Sequence, residues 1–182
     1  MTKLVGWSKL ELSPEGARLS AEGMLIDLNN SVRPYAVDNV LKVLRRHGAL
    51  SAMVEIGPDS ASIGRQVDGA NWSVGLRFPK GSRTGITRLK LNDKGFAVRG
   101  DFEHTVTVDD ERYGRVLSPV DGLPIPGLLS VAVMAENCLT ACSAASIART
   151  RTEINGIKWL KQLGFPWMAI DRNLNCHGPL TP

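Results

Sequence analysis

The sequence predicts an α+β fold built mainly from an antiparallel sheet with packed helices. Short apolar or alternating segments recur along the chain, and turn residues separate most of them. Helical spacing of apolar residues is confined to one segment near the start and to two adjacent segments, residues 137–149 and 152–163. Strands joined by short turns pair antiparallel, whereas parallel neighbours need a long crossover. This order therefore favours α+β over a doubly wound parallel sheet.

The first quarter of the chain is predicted to form two strands, a turn and a helix. Residues 5–12 and 24–28 are predicted strands, and the turn between them lies at 13–16. Pro34 is expected to open the helix, in the first turn, where its missing N–H does no harm. Gly48 ends the helix. The apolar face of this helix is predicted to contain Val37, Val40, Leu41 and Leu44.

The remainder is predicted as short strands, two helices and a final strand. The predicted strands are residues 52–56, 72–78, 86–91, 96–98, 104–108, 112–113, 129–135 and 167–170. The two helices are the adjacent segments 137–149 and 152–163. The tail after the last strand is expected to be loose, so the domain is taken as residues 1–172 and the tail as 173–182.

Composition narrows the classes of function. The chain has 182 residues, 43% hydrophobic content and a net charge of +4 that is spread along the sequence, which favours one core and no nucleic-acid partner. No segment approaches the roughly 20 apolar residues of a membrane span, and Met1 is not followed by a signal peptide. Three cysteines do not make a disulfide framework. We expect a cytoplasmic protein, or a periplasmic one if an upstream extension precedes this sequence.

The most informative segment is the run Met24-Leu-Ile-Asp-Leu-Asn-Asn-Ser-Val-Arg-Pro-Tyr-Ala-Val-Asp38. It is predicted to enter as a strand, turn through polar residues and leave as a helix. Such a turn commonly binds a phosphate or a cofactor, because the start of a helix attracts anions.

Several segments, in order, resemble the ApbE family of FAD:protein FMN transferases. The family's Asp-Leu-Gly-Gly-Ile-Ala-Lys-Gly-Tyr-Ala-Val-Asp is similar to the segment from Asp27 to Asp38, and its Ser-Gly-Asp-Tyr is matched by Arg99-Gly-Asp-Phe102. Further similar segments are Glu55-Ile-Gly-Pro-Asp59, Trp72-Ser-Val-Gly-Leu76, Arg115-Val-Leu-Ser-Pro-Val-Asp-Gly122 and residues 130–146. The resemblance covers the C-terminal part of the family domain and lacks the family's N-terminal region. It implies an ApbE-like, T-fold-like architecture.

The resemblance also implies a reaction and its ligands. Family members move FMN from FAD to a Ser or Thr hydroxyl of an acceptor flavoprotein, with release of AMP and with magnesium. No catalytic residue is assigned. The implied cofactor-binding positions are Asp27, Asn29, Asn30, Arg33 and Arg115. The alternatives are a structural cap at a strand end for Asp27 and a surface residue for Arg115.

The positions implied for magnesium differ from the family pattern. They are Asn30, Cys142 and Ser146, and the last two stand where the family has Asp and Thr. A thiol suits magnesium poorly, whereas Ser146 keeps a hydroxyl. Asn29 and Asn30 replace family glycines, and Arg33 can still bind a phosphate through its guanidinium group.

Three functions remain open at this point. The chain is an FMN transferase, a relative that binds a flavin or nucleotide without transferring it, or a scaffold or maturation partner in flavoprotein assembly. A sheet without the family's N-terminal region would expose apolar surface, so self-association is also expected.

Overall fold

The computed structural model describes residues 2–77, 86–100, 106–108, 111–113 and 116–181, and within them the fold is α+β. Two short 3-10 helices, Thr2–Leu4 and Trp7–Lys9, come first. The α-helices are α1 (Asn29–Arg46), α2 (Cys138–Arg149) and α3 (Glu153–Leu163). The strands are β1 (Leu10–Ser13), β2 (Gly16–Leu19), β3 (Ala52–Ile56), β4 (Asp59–Ile63), β5 (Trp72–Arg77), β6 (Ile86–Leu91), β7 (Gly95–Gly100), β8 (Val106–Val108), β9 (Glu111–Tyr113), β10 (Ser130–Ala135), β11 (Trp167–Ile170) and β12 (Cys176–His177).

A six-stranded antiparallel sheet organises the molecule, with the order β12-β11-β10-β7-β4-β3. The pairs β1–β2, β5–β6 and β8–β9 form separate antiparallel hairpins. All strand pairs in the described residues are antiparallel, as predicted. Among the described helices, none is both long enough and apolar enough to cross a membrane.

The two faces of the sheet are covered by different elements. Side chains alternate along β10, so Val131 and Val133 join the core under α2, whereas Ala132 joins the core under the β5–β6 hairpin. Helix α2 lies close to the sheet because its buried side chains are small. They include Ala141, Cys142, Ala144, Ala145 and Ala148. Helix α1 covers β3 and β4 and contacts α2.

The predictions for the first quarter of the chain are partly wrong. Residues 24–28 lie outside any strand, and α1 begins at Asn29 rather than at Pro34. The early start has a local cause: the Asp27 carboxylate accepts a hydrogen bond from the Asn29 amide at 2.8 Å, and the Leu28 carbonyl accepts from the next amides. Pro34 therefore lies inside α1, and it is buried.

The segment predicted as a loose tail contains the edge strand β12, which pairs with β11. Asp171 fixes it by accepting hydrogen bonds from the amides of Asn173 and Asn175, while its other oxygen lies 2.9 Å from His177 Nε2. Burial alone would raise the pKa of Asp171, but the hydrogen bonds from His177 and Asn175 outweigh it and hold that pKa below its usual range.

Asp38 of α1 caps the start of α2. Its two carboxylate oxygens accept from the amides of Cys138 at 2.8 Å and Leu139 at 2.9 Å. The side chain of Asn137 accepts from the amide of Thr140 at 2.8 Å. Side chains therefore satisfy the first three amides of α2, which otherwise have no intrahelical partner. Because Asp38 belongs to α1, this cap also joins the two helices.

We predict that Asp38→Ala lowers the free energy of unfolding by about 2–3 kcal/mol, because two hydrogen bonds to a carboxylate are lost and two amides are left without acceptors. Chemical denaturation monitored by circular dichroism measures this loss. The matched control is Lys42→Ala on the exposed side of the same helix, which we expect to stay within about 0.5 kcal/mol of the wild type. Equal losses in both variants would contradict the capping role.

Candidate functional site

The polar turn at the start of α1 lies on the surface. Asp27, Asn29, Asn30 and Arg33 are all exposed. Asp27 accepts a hydrogen bond from the Asn29 amide, whereas residues 24–28, the predicted strand whose end it would cap, lie outside any strand. Its contact with a flavin, and those of Asn29 and Asn30, stay predictions. Arg115 lies outside the described residues.

A buried ion pair lies beneath this turn. Asp59 begins β4 and Arg99 lies in β7, where Asp59 is paired in register with Ala97, so both side chains project to the same face of the sheet. The Arg99 guanidinium binds both carboxylate oxygens, with Nη1–Oδ1 at 2.7 Å and Nη2–Oδ2 at 3.2 Å. Asp59 is 0% exposed and Arg99 is 7% exposed. A bidentate pair with this burial is geometrically specific and needs both partners.

The same guanidinium contacts α1 and α2. Arg99 Nη2 lies 2.6 Å from Cys142 Sγ and 3.4 Å from the Asn30 carbonyl oxygen, and the Cys142 thiol donates to that oxygen at 3.2 Å. The Asn30 carbonyl is available because Pro34, four residues later, has no N–H to donate to it. An irregularity inside α1 thus supplies an acceptor to the buried site.

A second arginine approaches the same carboxylate from the solvent side. Arg33 Nε lies 3.6 Å from Asp59 Oδ2, and the Arg33 side chain is 47% exposed. One buried carboxylate therefore lies between two guanidinium groups, so the group carries net positive charge. The exposed side of this charge is Arg33, which can meet an anion without entering the core.

Burial and neighbouring groups together shift the pKa values of Cys142, Arg99 and Cys138. Burial raises the pKa of the Cys142 thiol, although the Arg99 charge partly offsets this effect. Cys142 is therefore a neutral thiol that can donate to Asn30. Burial would lower the pKa of Arg99, but its hydrogen bonds and charge interaction with Asp59 outweigh that effect and raise it. Burial also raises the pKa of the Cys138 thiol.

The three positions implied for magnesium are brought together, but they do not fit that ion. Cys142 Sγ lies 4.0 Å from Ser146 Oγ and 3.2 Å from the Asn30 carbonyl oxygen. The set offers a thiol, a hydroxyl and a carbonyl, whereas magnesium is usually held by carboxylates and waters. The Arg99 guanidinium also contacts two of the three groups. These groups therefore support no chemical step through a metal.

Sequence reasoning missed the group that organises the site. In the sequence, Arg99 and Asp59 stand out only as members of segments that resemble the family. The available signal was a pair of differences from the family pattern: an arginine at the Ser of Ser-Gly-Asp-Tyr, and Cys142 at the Asp of the later helix. Their contact is visible only once β7 and α2 are placed together.

Comparison with known protein families gives the same family as the resemblance in the sequence. A model described as the ApbE family matches residues 1–168. The FAD:protein FMN transferase of Vibrio cholerae is 29% identical over 139 residues, covering 74% of this chain and 42% of the relative. That of Haemophilus influenzae is 29% identical over 137 residues, covering 72% and 40%. The chain thus spans less than half the length of these curated relatives.

Solved structures show the same fold. The flavin transferase ApbE from Vibrio cholerae superposes with a TM-score of 0.86 at 23% identity, covering 98% of this chain and 58% of the other. The Pseudomonas stutzeri flavinyl transferase ApbE, in its apo form, gives a TM-score of 0.82 at 24% identity, covering 94% and 53%.

We predict that Asp59→Asn lowers the free energy of unfolding by about 3–5 kcal/mol, because the charge of Arg99 is left buried without its counter-ion. The double variant Asp59→Asn, Arg99→Met should recover most of this loss, since no buried charge remains. Denaturant titration of the single and double variants measures both effects.

The matched control is Arg33→Ala, which removes the exposed partner of the same carboxylate and should cost less than about 1 kcal/mol. A cost for Arg33→Ala as large as that for Asp59→Asn would contradict the division between a buried pair and an exposed one.

Proposed function

We propose, because this chain belongs to the ApbE family, that it binds FAD by the pyrophosphate at the start of α1 and takes part in moving FMN to a Ser or Thr hydroxyl of an acceptor protein. The curated relatives named FAD:protein FMN transferase support this function. In such a transfer, the acceptor oxygen forms a bond to the FMN phosphorus, the bond between that phosphorus and the AMP oxygen breaks, AMP leaves with the electron pair, and the proton of the acceptor hydroxyl passes to solvent.

The observation that carries this function is the position of Arg33. Its guanidinium lies on the first part of α1, half exposed, and a Cβ placed on Gly57 would be 3.3 Å from Arg33 Nη1. The turn between β3 and β4 therefore passes close to Arg33 and leaves its outer side to solvent. A guanidinium group in this place can bind two phosphate oxygens at once.

The side chains of the turn are better placed for this ligand than the backbone. Asp27 already accepts from the Asn29 amide, and the Leu28 carbonyl accepts from Ser31 and Val32. These amides are therefore engaged within the turn. We assign phosphate binding to Arg33 with the side chains of Asn29 and Asn30, and, by resemblance alone, to Arg115.

Magnesium, which the resemblance implies, has no step in this function because the donors at Asn30, Cys142 and Ser146 do not fit it. The chain's own residues then bind and orient the dinucleotide, and the charge of Arg33 offsets the charge that develops on the phosphate oxygens. The acceptor protein is a further partner implied by the curated relatives' name.

A second candidate function is flavin-nucleotide binding without transfer. The buried group of Asp59, Arg99 and Cys142 favours it, because the charge of Arg99 is already paired with the Asp59 carboxylate. A neutral pair contributes little to stabilising a phosphorane-like or metaphosphate-like transition state.

The test is to mix the full chain with FAD, with and without magnesium, and to follow retained flavin, AMP release and flavin stably attached to a Ser- or Thr-containing acceptor. We expect retained FAD, with affinity reduced about tenfold or more in Arg33→Ala, because a charge-assisted phosphate contact is lost. The control Arg46→Ala, at the far end of α1, should bind like the wild type.

AMP release with flavin on the acceptor supports transfer by this chain. FAD binding without AMP supports the second candidate instead. Failure to bind FAD by equilibrium dialysis at millimolar concentration would contradict both.

We also propose that the chain self-associates through the surface around the polar turn. This surface holds large apolar side chains that are strongly exposed, with Leu25 at 93%, Leu28 at 60% and Tyr35 at 60%. Ile26 and Val32 are exposed beside them. Exposed apolar side chains grouped in this way commonly mark a protein interface.

Light scattering over a range of concentrations tests this interface. We expect a dimer or larger species, shifted to monomer by Leu25→Asp, whereas Leu50→Asp, at an equally exposed leucine beyond the other end of α1, should leave it unchanged. A monomer at every concentration would contradict self-association.

A further inference from the structure

We propose that Arg99 acts as a permanent internal cation at the place where the family resemblance puts magnesium, so that ligand binding at the start of α1 is independent of divalent metal. The magnesium measurements concern the protein without flavin, whereas the statement about ligand binding rests on the flavin function proposed above.

The first support is position. The three groups implied as metal ligands are the Asn30 carbonyl, the Cys142 thiol and the Ser146 hydroxyl, and two of them touch the guanidinium. Arg99 Nη2 lies 3.4 Å from the Asn30 oxygen and 2.6 Å from Cys142 Sγ. A positively charged donor therefore already occupies the space that faces these lone pairs.

The second support is charge. A divalent ion beside Arg99 would be repelled strongly, because the surrounding protein screens charge far less than water does. The buried carboxylate that could offset this repulsion is Asp59, and both of its oxygens are bound by Arg99 at 2.7 and 3.2 Å. The predicted metal ligands themselves contain no carboxylate. The Asp59–Arg99 pair thus already holds one charge of each sign, and Arg33 adds a further positive charge on its exposed side, so no divalent ion is needed to balance it.

The third support is that two differences from the family pattern meet at one contact. Arg99 stands where the family has Ser, so this position gains a positive charge. Cys142 stands where the family has Asp, so this position loses a negative charge. The two side chains touch. A carboxylate restored at position 142 alone would therefore face a guanidinium and form an ion pair with it, rather than a metal ligand. Both positions must change before a divalent ion can be held.

The fourth support is backbone geometry. Because Pro34 cannot donate to the Asn30 carbonyl, that oxygen must find another partner, and it has two: Arg99 Nη2 and the Cys142 thiol. An unbound carbonyl at this point would attract a cation from solution. Here the protein supplies the cation itself.

The experiment measures magnesium binding by calorimetry, together with the magnesium-dependent shift in melting temperature, for the flavin-free full chain and five variants. These are Arg99→Ser, Cys142→Asp, Ser146→Ala, the double variant Arg99→Ser, Cys142→Asp, and a control double variant Arg33→Ser, Cys142→Asp. We expect the double variant Arg99→Ser, Cys142→Asp to bind magnesium at least about tenfold more tightly than the wild type or either single variant.

The control double variant removes an arginine near the same carboxylate but keeps Arg99, so it should gain no magnesium affinity. We further expect Cys142→Asp alone to gain no magnesium affinity, because the new carboxylate faces the Arg99 guanidinium. EDTA should leave the FAD affinity of the wild-type chain unchanged, a readout that is separate from transfer activity.

Magnesium binding by the wild type that Ser146→Ala abolishes would overturn the inference. So would a tenfold gain in magnesium affinity from Cys142→Asp alone. If circular dichroism shows that the Arg99 variants do not fold, the wild type, Ser146→Ala and Cys142→Asp still decide between these outcomes, because all three retain the ion pair with Asp59.

Discussion

The buried guanidinium group of Arg99 is the feature on which the arrangement of the helices and the sheet depends. It joins β7 to β4 through Asp59, to α1 through the Asn30 carbonyl and to α2 through Cys142. A charge placed this deeply is unfavourable unless every neighbour is positioned to balance it. The elements that meet there are therefore constrained together: α1 cannot shift along the sheet without uncovering Asp59, and α2 cannot turn without withdrawing Cys142.

Pro34 leaves free the backbone carbonyl that this arrangement uses. A proline inside a helix usually weakens it because one carbonyl loses its partner. In α1 the carbonyl that Pro34 leaves free belongs to Asn30, and this oxygen faces the buried site. The cost inside the helix is thereby offset by contacts between elements. The same helix carries Asp38, whose carboxylate caps α2. Helix α1 thus contacts α2 at two places. Asp38 caps the first turn of α2, and the Asn30 carbonyl accepts from Cys142 one turn later.

Much of the architecture could be read from sequence, because it rests on local patterns. The strands at residues 52–56, 86–91 and 167–170 and both later helices follow their apolar spacing closely. Strand β4 was missed, since Asp59-Ser-Ala-Ser-Ile63 has little apolar character. It is buried only because it lies between β3 and β7. The early start of α1 was missed because Asp27-Leu-Asn-Asn30 is typical of a polar turn, and the hydrogen bond from the Asn29 amide to Asp27 is visible only in the structure.

The candidate site, like the fold, has parts that could be predicted from the sequence and parts that could not. The proximity of Cys142 and Ser146 could be predicted, since residues four apart share one face of a helix. The contact between Arg99 and Cys142 could not, because it depends on how α2 lies over β7 and joins residues 43 apart in sequence. The chain therefore has the fold of its relatives, while a buried guanidinium group contacts two of the groups implied as metal ligands.

A crystal of the full chain grown with MnCl2 would test this account most directly, because manganese is detected by its anomalous scattering and occupies magnesium sites. The account predicts Arg99 bound to Asp59 and in contact with Cys142, with no anomalous peak between Asn30, Cys142 and Ser146. A manganese ion bound to the Asn30 carbonyl and the Ser146 hydroxyl, with Arg99 turned away, would contradict it.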